Sequence, residues 1–344
     1  MPLVFTRRAL LGWSALTPSL RPLLAQAVDA PRSTVALVKG ESRRKNIAAA
    51  LAAIDEQILP VLKTRKYVLI KPNFVMPDHQ LAASHADAVQ GILDYLESRF
   101  RGPVMAAESS AGDTMDAFES YGFPRLASER HVQLVDLNRE GRYRVVGLLD
   151  RDLHAAPARF AARLFDPEAF VMCLALPKTH NAVVATLSVK NMGLGGPLHS
   201  APGVTPRWND KRLAHSALRQ IHYNIFLAAQ AMRPFWGAAV IDGFEGMEGN
   251  GPTGGASVPS RFALASTDYV AADRVGVETM GIDPSWIGYL KYCGDCGIGQ
   301  YNLGRIEVRG EPVAAVRRKY RLHENVQREL QWLGPMLSVP PQVG

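Results

Sequence analysis

Short apolar runs alternate along the chain with longer stretches whose apolar residues have helical spacing, and this alternation predicts an α/β fold. Several short runs are apolar throughout, which is typical of strands buried on both faces of a sheet. The predicted strands are residues 34–38, 67–70, 104–107, 132–135, 170–176, 237–241, 262–265 and 306–308. The predicted helices are residues 43–62, 86–98, 114–121, 211–232, 268–280 and 317–332. We therefore expect a layered structure in which helices flank a mostly parallel or mixed sheet.

Two Gly- and Pro-rich segments interrupt this alternation, at residues 193–206 and 243–259. Both are long for simple connections, so they are predicted to be functional loops at one edge of the sheet. The chain has 344 residues, 47% of them hydrophobic, which is sufficient for one large core. The predicted organisation is an α/β domain over residues 33–312, followed by a C-terminal helix and tail over residues 313–344.

The first 27 residues have the features of an export signal. Residues 6–11 read TRRALL, which is close to the twin-arginine pattern, and residues 25–27, Ala-Gln-Ala, supply a small-x-small cleavage site. Two prolines and an arginine break the apolar stretch between them, so it is not expected to span a membrane. The sequence predicts a periplasmic protein that is carried by the twin-arginine export machinery and cleaved near Ala27. The alternative is a chance arginine pair on a surface helix.

The charge of the chain favours a small anionic ligand over nucleic acid. The formal net charge is +7, and three of these charges are arginines of the first 27 residues, which leaves +4 for the rest. No basic run is longer than residues 317–319, which have no interleaved aromatic residues, so nucleic-acid binding is not expected.

Only three cysteines occur, Cys173, Cys293 and Cys296. Because a 4Fe–4S cluster needs four thiolate ligands, the chain is not expected to hold one. Cys293 and Cys296 have the spacing of a redox motif but not its usual position after a strand and before a helix. In an oxidising compartment they are compatible with a local disulfide or with two free thiols.

Four apolar runs end abruptly in polar residues, at Lys71, at Glu108, at Lys178 with His180, and at Asp242. Because the carboxyl ends of parallel strands meet at one edge of a sheet, these side chains converge if the four strands are parallel neighbours. Lys178 and His180 are two residues apart, so they point to the same side of an extended segment and suit an anion or a proton transfer. Solvated strand ends are the alternative interpretation.

Lys190 and Asn191 form a second group of polar residues, and Lys190 lies ten residues after His180. We expect Lys190 to bind the anion together with Lys178, although Lys190 at a helix end with Gly193 as the cap is an alternative. The predicted catalytic residues are His180, Lys178, Lys190 and Glu108, with Glu108 orienting the histidine or holding a cation. The predicted substrate-binding residues are Lys71, Asn73, His85, Asn191 and Asn250.

The second Gly-rich segment contains three carboxylates within seven residues, Asp242, Glu245 and Glu248. Such a group suits a hard divalent cation such as Mg²⁺ or Ca²⁺, or it pairs with the lysines. Asp242 and Glu248 are the predicted metal ligands. A solvated acidic loop is the alternative.

Several longer phrases occur in one order along the chain: VLIKPN, AESSAGD, LPKTHNAV with SVKNMGLGG, IDGFEGMEGNGP and ASTDYVAADRVGVETMGIDP. Together they resemble the domain-of-unknown-function family 362, over roughly residues 67–299. The family has no agreed reaction, and many relatives carry an added ferredoxin-like module with clustered cysteines. This chain has no such cysteine cluster, so it is expected to be a member without that module, and the resemblance implies no electron transfer here. The residues that match the family phrases are Lys71, Asn73, His85, Glu108, Lys178, His180, Lys190, Asn191, Asp242, Glu248, Asn250, Asp268 and Asp273.

Two functional hypotheses follow. The first is an exported enzyme that acts on a small anionic substrate. One such enzyme would be a periplasmic oxidoreductase, which needs a cofactor that the sequence does not name. The alternative is a non-catalytic periplasmic protein that binds an anion or a metal. A histidine within hydrogen-bond reach of a carboxylate inside the pocket would favour the enzyme. A third interpretation is that the loops form a surface for protein interaction.

Overall fold

The structure is a computed structural model that describes residues 31–201 and 203–334. The predicted signal peptide, residues 1–27, and residues 335–344 of the predicted tail lie outside these described residues. None of the described helices is long and apolar enough to cross a membrane.

The strands form three sheets. Their bounds are β1 Ser33–Lys39, β2 Tyr67–Lys71, β3 Val104–Glu108, β4 Val132–Asp136, β5 Tyr143–Leu149, β6 Ala155–Ala161, β7 Ala169–Ala175, β8 Lys178–His180, β9 Val184–Thr186, β10 Trp236–Gly243, β11 Gly246–Asn250, β12 Gly254–Val258, β13 Phe262–Ser266 and β14 Ile306–Gly310. The central sheet has the order β14-β1-β13-β10-β7-β2-β3-β4 and contains all eight predicted strands. β13 is antiparallel to both of its neighbours, whereas the run from β10 to β4 is parallel. The expectation of a layered α/β fold with a mixed sheet is confirmed.

Helices cover both faces of this sheet. Their bounds are α1 Arg43–Ala52, α2 Asp55–Leu62, α3 Ala86–Glu97, α4 Thr114–Ser120, α5 Phe123–Arg130, α6 Ser188–Gly195, α7 Asp210–Ala214, α8 Leu218–Met232, α9 Tyr269–Thr279, α10 Gly288–Asp295, α11 Val313–Val316 and α12 Val326–Glu329. Successive strand side chains alternate between two buried clusters: Val68 and Ile70 pack with Ile92 of α3, while Leu69 packs with Ile225 of α8. This alternation explains why the central strands are apolar at every position.

Three of the predicted helices differ from the structure. Residues 43–62 form two helices, α1 and α2, and residues 211–232 also form two, α7 and α8. The predicted helix over residues 317–332 is wrong, because only α12 and a 3₁₀ turn at its end are helical there. The backbone of this segment bonds elsewhere: the Gly249 amide donates to the Arg321 carbonyl oxygen over 2.7 Å, and the Tyr320 amide donates to Met280 over 2.9 Å.

Three hairpins were not predicted, β5–β6, β8–β9 and β11–β12. The Gly-rich segment expected to be a loop over residues 243–259 contains the β11–β12 hairpin, and β11 joins β8 and β9 in a four-stranded sheet. β11 and β12 each contain two glycines in five residues, so they lack the alternation of apolar and polar residues that predicts a strand. β5 and β6 form a separate two-stranded sheet.

Candidate functional site

The four strands that end in the predicted polar residues are consecutive neighbours. β10, β7, β2 and β3 pair in that order, and each pair is parallel. Their carboxyl ends therefore meet at one edge of the sheet, which is where open α/β sheets bind ligands.

Lys71 and Glu108 form a buried ion pair at this edge. The Lys71 Nζ atom lies 2.8 Å from Oε1 and 3.0 Å from Oε2 of Glu108, and both side chains are buried. The Glu108 carboxylate also accepts hydrogen bonds from the backbone amides of Ser109, over 2.8 Å, and Phe74, over 3.3 Å. Since its oxygens are occupied in this way, Glu108 serves here to anchor Lys71.

Two asparagines connect this ion pair to Lys178. Lys71 donates to Oδ1 of Asn191 over 3.2 Å, and the same oxygen accepts from Nδ2 of Asn73 over 3.2 Å. Lys178 in turn donates to Oδ1 of Asn73 over 2.6 Å and to the Ala82 carbonyl oxygen over 2.7 Å. Burial, followed by the charge of Lys190, lowers the pKa of Lys178 to about 7. The structure thus brings Lys71, Asn73, Glu108, Lys178 and Asn191 into one network.

A cavity of about 330 Å³ lies beside this network, which we call the lysine cavity. It is bounded by the ends of β2 and β3, by α6, and by the segment that includes α7. Its polar lining residues are Asn73, Glu108, Ser109, Lys190, Asn191, Asn209, Lys211, Arg212 and His215.

Lys190 lies in the first turn of α6 and lines the lysine cavity. This helix begins where the buried Asp273 carboxylate accepts hydrogen bonds from the Ser188 amide, over 2.7 Å, and the Val189 amide, over 2.8 Å. Within the described part of the chain, the Lys190 ammonium group has no hydrogen-bond or ion-pair partner. Burial, followed by the charge of Lys71, lowers its pKa to about 7. Because Lys190 lies in the first turn of α6 and not in its last, the alternative of a lysine at the C-terminal end of a helix is wrong.

Lys211, Arg212 and His215 line the same cavity but were not predicted as site residues. Lys211 is buried and donates to Oγ of Ser109 over 3.3 Å and to the Gly195 carbonyl oxygen over 3.1 Å. Burial lowers the pKa of Lys211 to about 7. The one sequence signal was a basic pair, Lys211 and Arg212, at the start of the helix predicted over residues 211–232.

The hydrogen bond of His215 fixes its tautomer. Its Nδ1 atom lies 2.7 Å from the carbonyl oxygen of Lys211, which can only accept, so Nδ1 carries the proton and Nε2 is an acceptor. The residue is exposed overall. Desolvation of its ring by the surrounding protein, followed by the charge of Lys190, lowers the pKa of His215 below its ordinary value. The imidazole is therefore neutral at pH 7.

Three predicted catalytic or substrate-binding residues, His180, His85 and Asn250, lie outside both the network and the lysine cavity lining. His180 is buried in β8, where its Nδ1 atom accepts from the Ala182 amide over 3.1 Å, and burial holds its pKa well below the ordinary range. His85 caps α3, because its Nδ1 atom accepts a hydrogen bond from the Asp87 amide over 3.1 Å. The Asn250 side chain donates to Glu324 over 3.1 Å.

The two predicted metal ligands have other partners. Asp242 forms an ion pair with Arg43, whose Nε atom lies 3.0 Å from Oδ2, and Glu248 accepts from the Arg321 amide over 2.9 Å. In residues 31–201 and 203–334 no group of three or more His, Cys, Asp or Glu side chains is arranged to hold a metal ion. The three cysteines are free thiols, with Cys296 exposed.

The fold and the cavity define an α/β protein with a cluster of lysines at the carboxyl edge of its sheet. Residues 68–278, more than half of the chain, match the family described as Domain of unknown function (DUF362), and the chain belongs to this family. The family resemblance of the sequence phrases is thereby confirmed.

A similar solved structure is that of a Thermotoga maritima protein from the Northeast Structural Genomics Consortium, with 12% identity and a TM-score of 0.39. The match covers 59% of this chain and 51% of that one, so it spans about half the length of the Thermotoga protein. No curated protein matches the chain.

Proposed function

We propose that this chain is an exported protein whose lysine cavity binds a small anionic ligand. Among the residues that the structure describes, the ammonium group of Lys190 has no partner, and this observation carries the proposal. Three cationic side chains line the cavity, Lys190, Lys211 and Arg212, and the one carboxylate among its lining residues, Glu108, is already paired with Lys71. An anion would supply the missing negative charge.

The cavity also has a suitable size and composition. Its volume of about 330 Å³ suits a small metabolite. A carboxylate or phosphate of the ligand would bind Lys190 and Lys211, with Arg212 at the rim. The second N–H of the Asn73 side chain and the side-chain nitrogen of Asn209 would serve its other polar atoms. Lys178 then supports the site by holding Asn73, because its own ammonium group is already bonded to two oxygens.

His215 supplies a base for a catalytic role, but among the described residues it does not have the carboxylate partner that would favour an enzyme over a binding protein. Its unprotonated Nε2 atom is a base in a cavity whose cations would stabilise negative charge developing on the ligand. The carbonyl oxygen of Lys211, and not a carboxylate, orients the ring. The proposed activity is thus acid–base chemistry on a small anion. An oxidoreductase would need a cofactor in addition to these residues. Binding without turnover is the remaining candidate.

Isothermal titration calorimetry with inorganic phosphate and with glyoxylate tests the binding proposal. We expect Lys190→Met and Lys211→Met to weaken the binding of at least one of these anions by about tenfold or more, which corresponds to about 1.4 kcal/mol. Lys63→Met is the matched control, because Lys63 is exposed and its replacement removes the same charge. Unchanged affinity in both cavity variants would refute the assignment.

Export is proposed from the twin-arginine pattern and is tested separately. Replacement of Arg7 and Arg8 by lysine should leave the precursor in the cytoplasm, because the export machinery reads the arginine pair. Cell fractionation measures the outcome, and the expected mature protein begins after Ala27. Continued delivery to the periplasm would contradict the export signal.

A further inference from the structure

We propose that Lys190 is a nucleophilic amine that forms an imine with the carbonyl group of an oxo acid bound in the lysine cavity. The inference rests on the proposed function, since the same site must first bind the carboxylate of the oxo acid.

The hydrogen bonds of the four neighbouring lysines single out Lys190. Lys71 donates to both oxygens of Glu108, and Lys178 donates to Asn73 and Ala82. Lys211 donates to Ser109 and Gly195. Each of these bonds ties the lysine nitrogen to a fixed oxygen of the protein, whereas attack on a carbonyl needs a nitrogen whose lone pair can face the ligand. Among the described residues, Lys190 is the one member of the cluster without such a partner.

The surroundings of Lys190 favour the neutral amine in the absence of a ligand. Lys71 is the nearby cation that acts on it, and Glu108 holds Lys71 in place. A lysine beside a second cation in a desolvated site is activated as a nucleophile at neutral pH. Consistent with this, the pKa of Lys190 is lowered to about 7.

The other cavity residues match the needs of an oxo acid. Lys211 and Arg212 supply positive charge for its carboxylate, and Asn73 and Ser109 supply polar groups beside its carbonyl. His215 supplies a neutral base in the same cavity. A ligand that combines a carboxylate with a neighbouring ketone or aldehyde uses all three of these features.

The step balances without an added oxidant or reductant. The Lys190 nitrogen attacks the carbonyl carbon, a C–N bond forms, and the C=O π electrons move to oxygen. His215 passes one proton from nitrogen to that oxygen, which gives a carbinolamine, and then a second, which turns the hydroxyl group into water. The C–O bond breaks, water leaves, and the nitrogen lone pair forms the C=N bond of the imine. The products are one imine and one water molecule. An iminium at this position would then accept electrons from a bond to the adjacent carbon.

Reductive trapping with glyoxylate and sodium cyanoborohydride tests the proposal. We expect one adduct per chain in the intact mass, located by peptide mapping at Lys190 and absent from Lys190→Arg. Lys190→Arg keeps a positive charge at this position and removes the primary amine. Absence of the adduct in this variant therefore shows that the amine, and not the charge, is needed. Lys63→Arg is the control and should retain the adduct at Lys190. Calorimetric binding of glyoxylate without an adduct at Lys190 would overturn the imine and leave the anion site standing.

A second arm uses formaldehyde, which has no charge and therefore does not depend on the anion site. With cyanoborohydride at neutral pH, we expect Lys190 to be methylated faster than the exposed Lys63, because more of it is free amine. Methylation of Lys190 no faster than that of Lys63 would overturn the nucleophile. Faster methylation without any binding of glyoxylate would support the nucleophile while the proposed function fails.

Discussion

The ammonium group of Lys71 lies 2.8 Å from Oε1 of Glu108, and both side chains are buried where two neighbouring parallel strands end. This ion pair joins the end of β2 to the end of β3, and Glu108 lines the lysine cavity. Through Asn191 it also contacts α6, the helix that carries Lys190. The position of the Lys190 side chain therefore depends on the ion pair between Lys71 and Glu108.

We expect each half of this ion pair to depend on the other. Glu108→Gln or Lys71→Met should lower the free energy of unfolding by about 3–5 kcal/mol, because each leaves a buried group without its partner. The double variant should cost less than the sum of the single variants. Urea unfolding at neutral pH gives all three values. Additive losses would show that the two side chains are not coupled.

Gly195 lies against this pair and leaves no space for a side chain. A Cβ atom added there would collide with Nζ of Lys71 and lie 3.0 Å from its Cε atom. Gly195→Ala should therefore lower the free energy of unfolding by about 1–3 kcal/mol. Gly147→Ala is the control, because nothing lies within 4 Å of a Cβ atom at that position. Equal stability of the two variants would contradict the packing described here.

Lys178 and Lys190 should differ in their contribution to stability. Lys178→Met leaves the oxygens of Asn73 and Ala82 without their donor, which should cost about 1–3 kcal/mol. Lys190→Met removes an ammonium group with no described partner and should leave the free energy of unfolding unchanged or higher. Chemical unfolding of the ligand-free protein makes the comparison. A larger loss in Lys190→Met would mean that this lysine has a structural role.

Anion binding should depend on pH in a direction set by the lysines. Lys190 and Lys211 have pKa values lowered to about 7 in the free protein, and a bound inorganic phosphate, which offers Lys190 no carbonyl carbon, raises both again. Binding then takes up protons, so affinity should be highest below about pH 7 and fall as the pH rises to about pH 9. Calorimetry in buffers of different ionisation enthalpy measures the uptake. Affinity that stays flat over this interval would exclude these ammonium groups as the binding charges.

His215 should remain neutral near pH 7 with its proton on Nδ1. Its desolvated ring and the charge of Lys190 lower its pKa, and the Lys211 carbonyl oxygen accepts from Nδ1. Nitrogen-15 NMR of the imidazoles distinguishes the two tautomers and the charged form. His215→Asn removes the assigned resonance and serves as its control. A proton on Nε2, or an imidazolium at neutral pH, would remove His215 as the base.

The strands were predictable because burial on both faces makes them apolar at every position. Residues such as Val68, Leu69 and Ile70 are fully buried on alternating faces, and a polar residue marks where the strand leaves the core. That same rule located Lys71 and Glu108 at one edge. The five residues of the network were therefore found from the sequence, although their bonding partners were not.

The other features could not be predicted from the sequence, because their partners lie far away along the chain. Asp242 was predicted as a metal ligand, but its partner is Arg43, which is 199 residues away in the sequence. Lys211 and His215 come from a short helix after an irregular segment, and no local pattern shows that this segment returns to the strand ends. The Gly-rich hairpin likewise owes its pairing to β8 and to the C-terminal segment, not to its own propensity.

The central claim is that the lysine cavity binds anions, and anomalous diffraction from crystals soaked in sodium bromide tests it most directly. Bromide is a small anion that can be located without knowledge of the natural ligand. We predict an anomalous peak in the cavity within contact distance of Lys190 and Lys211, and its loss in crystals of Lys190→Met. Bromide bound only at exposed cationic side chains, with none in the cavity of the wild-type protein, would contradict the account.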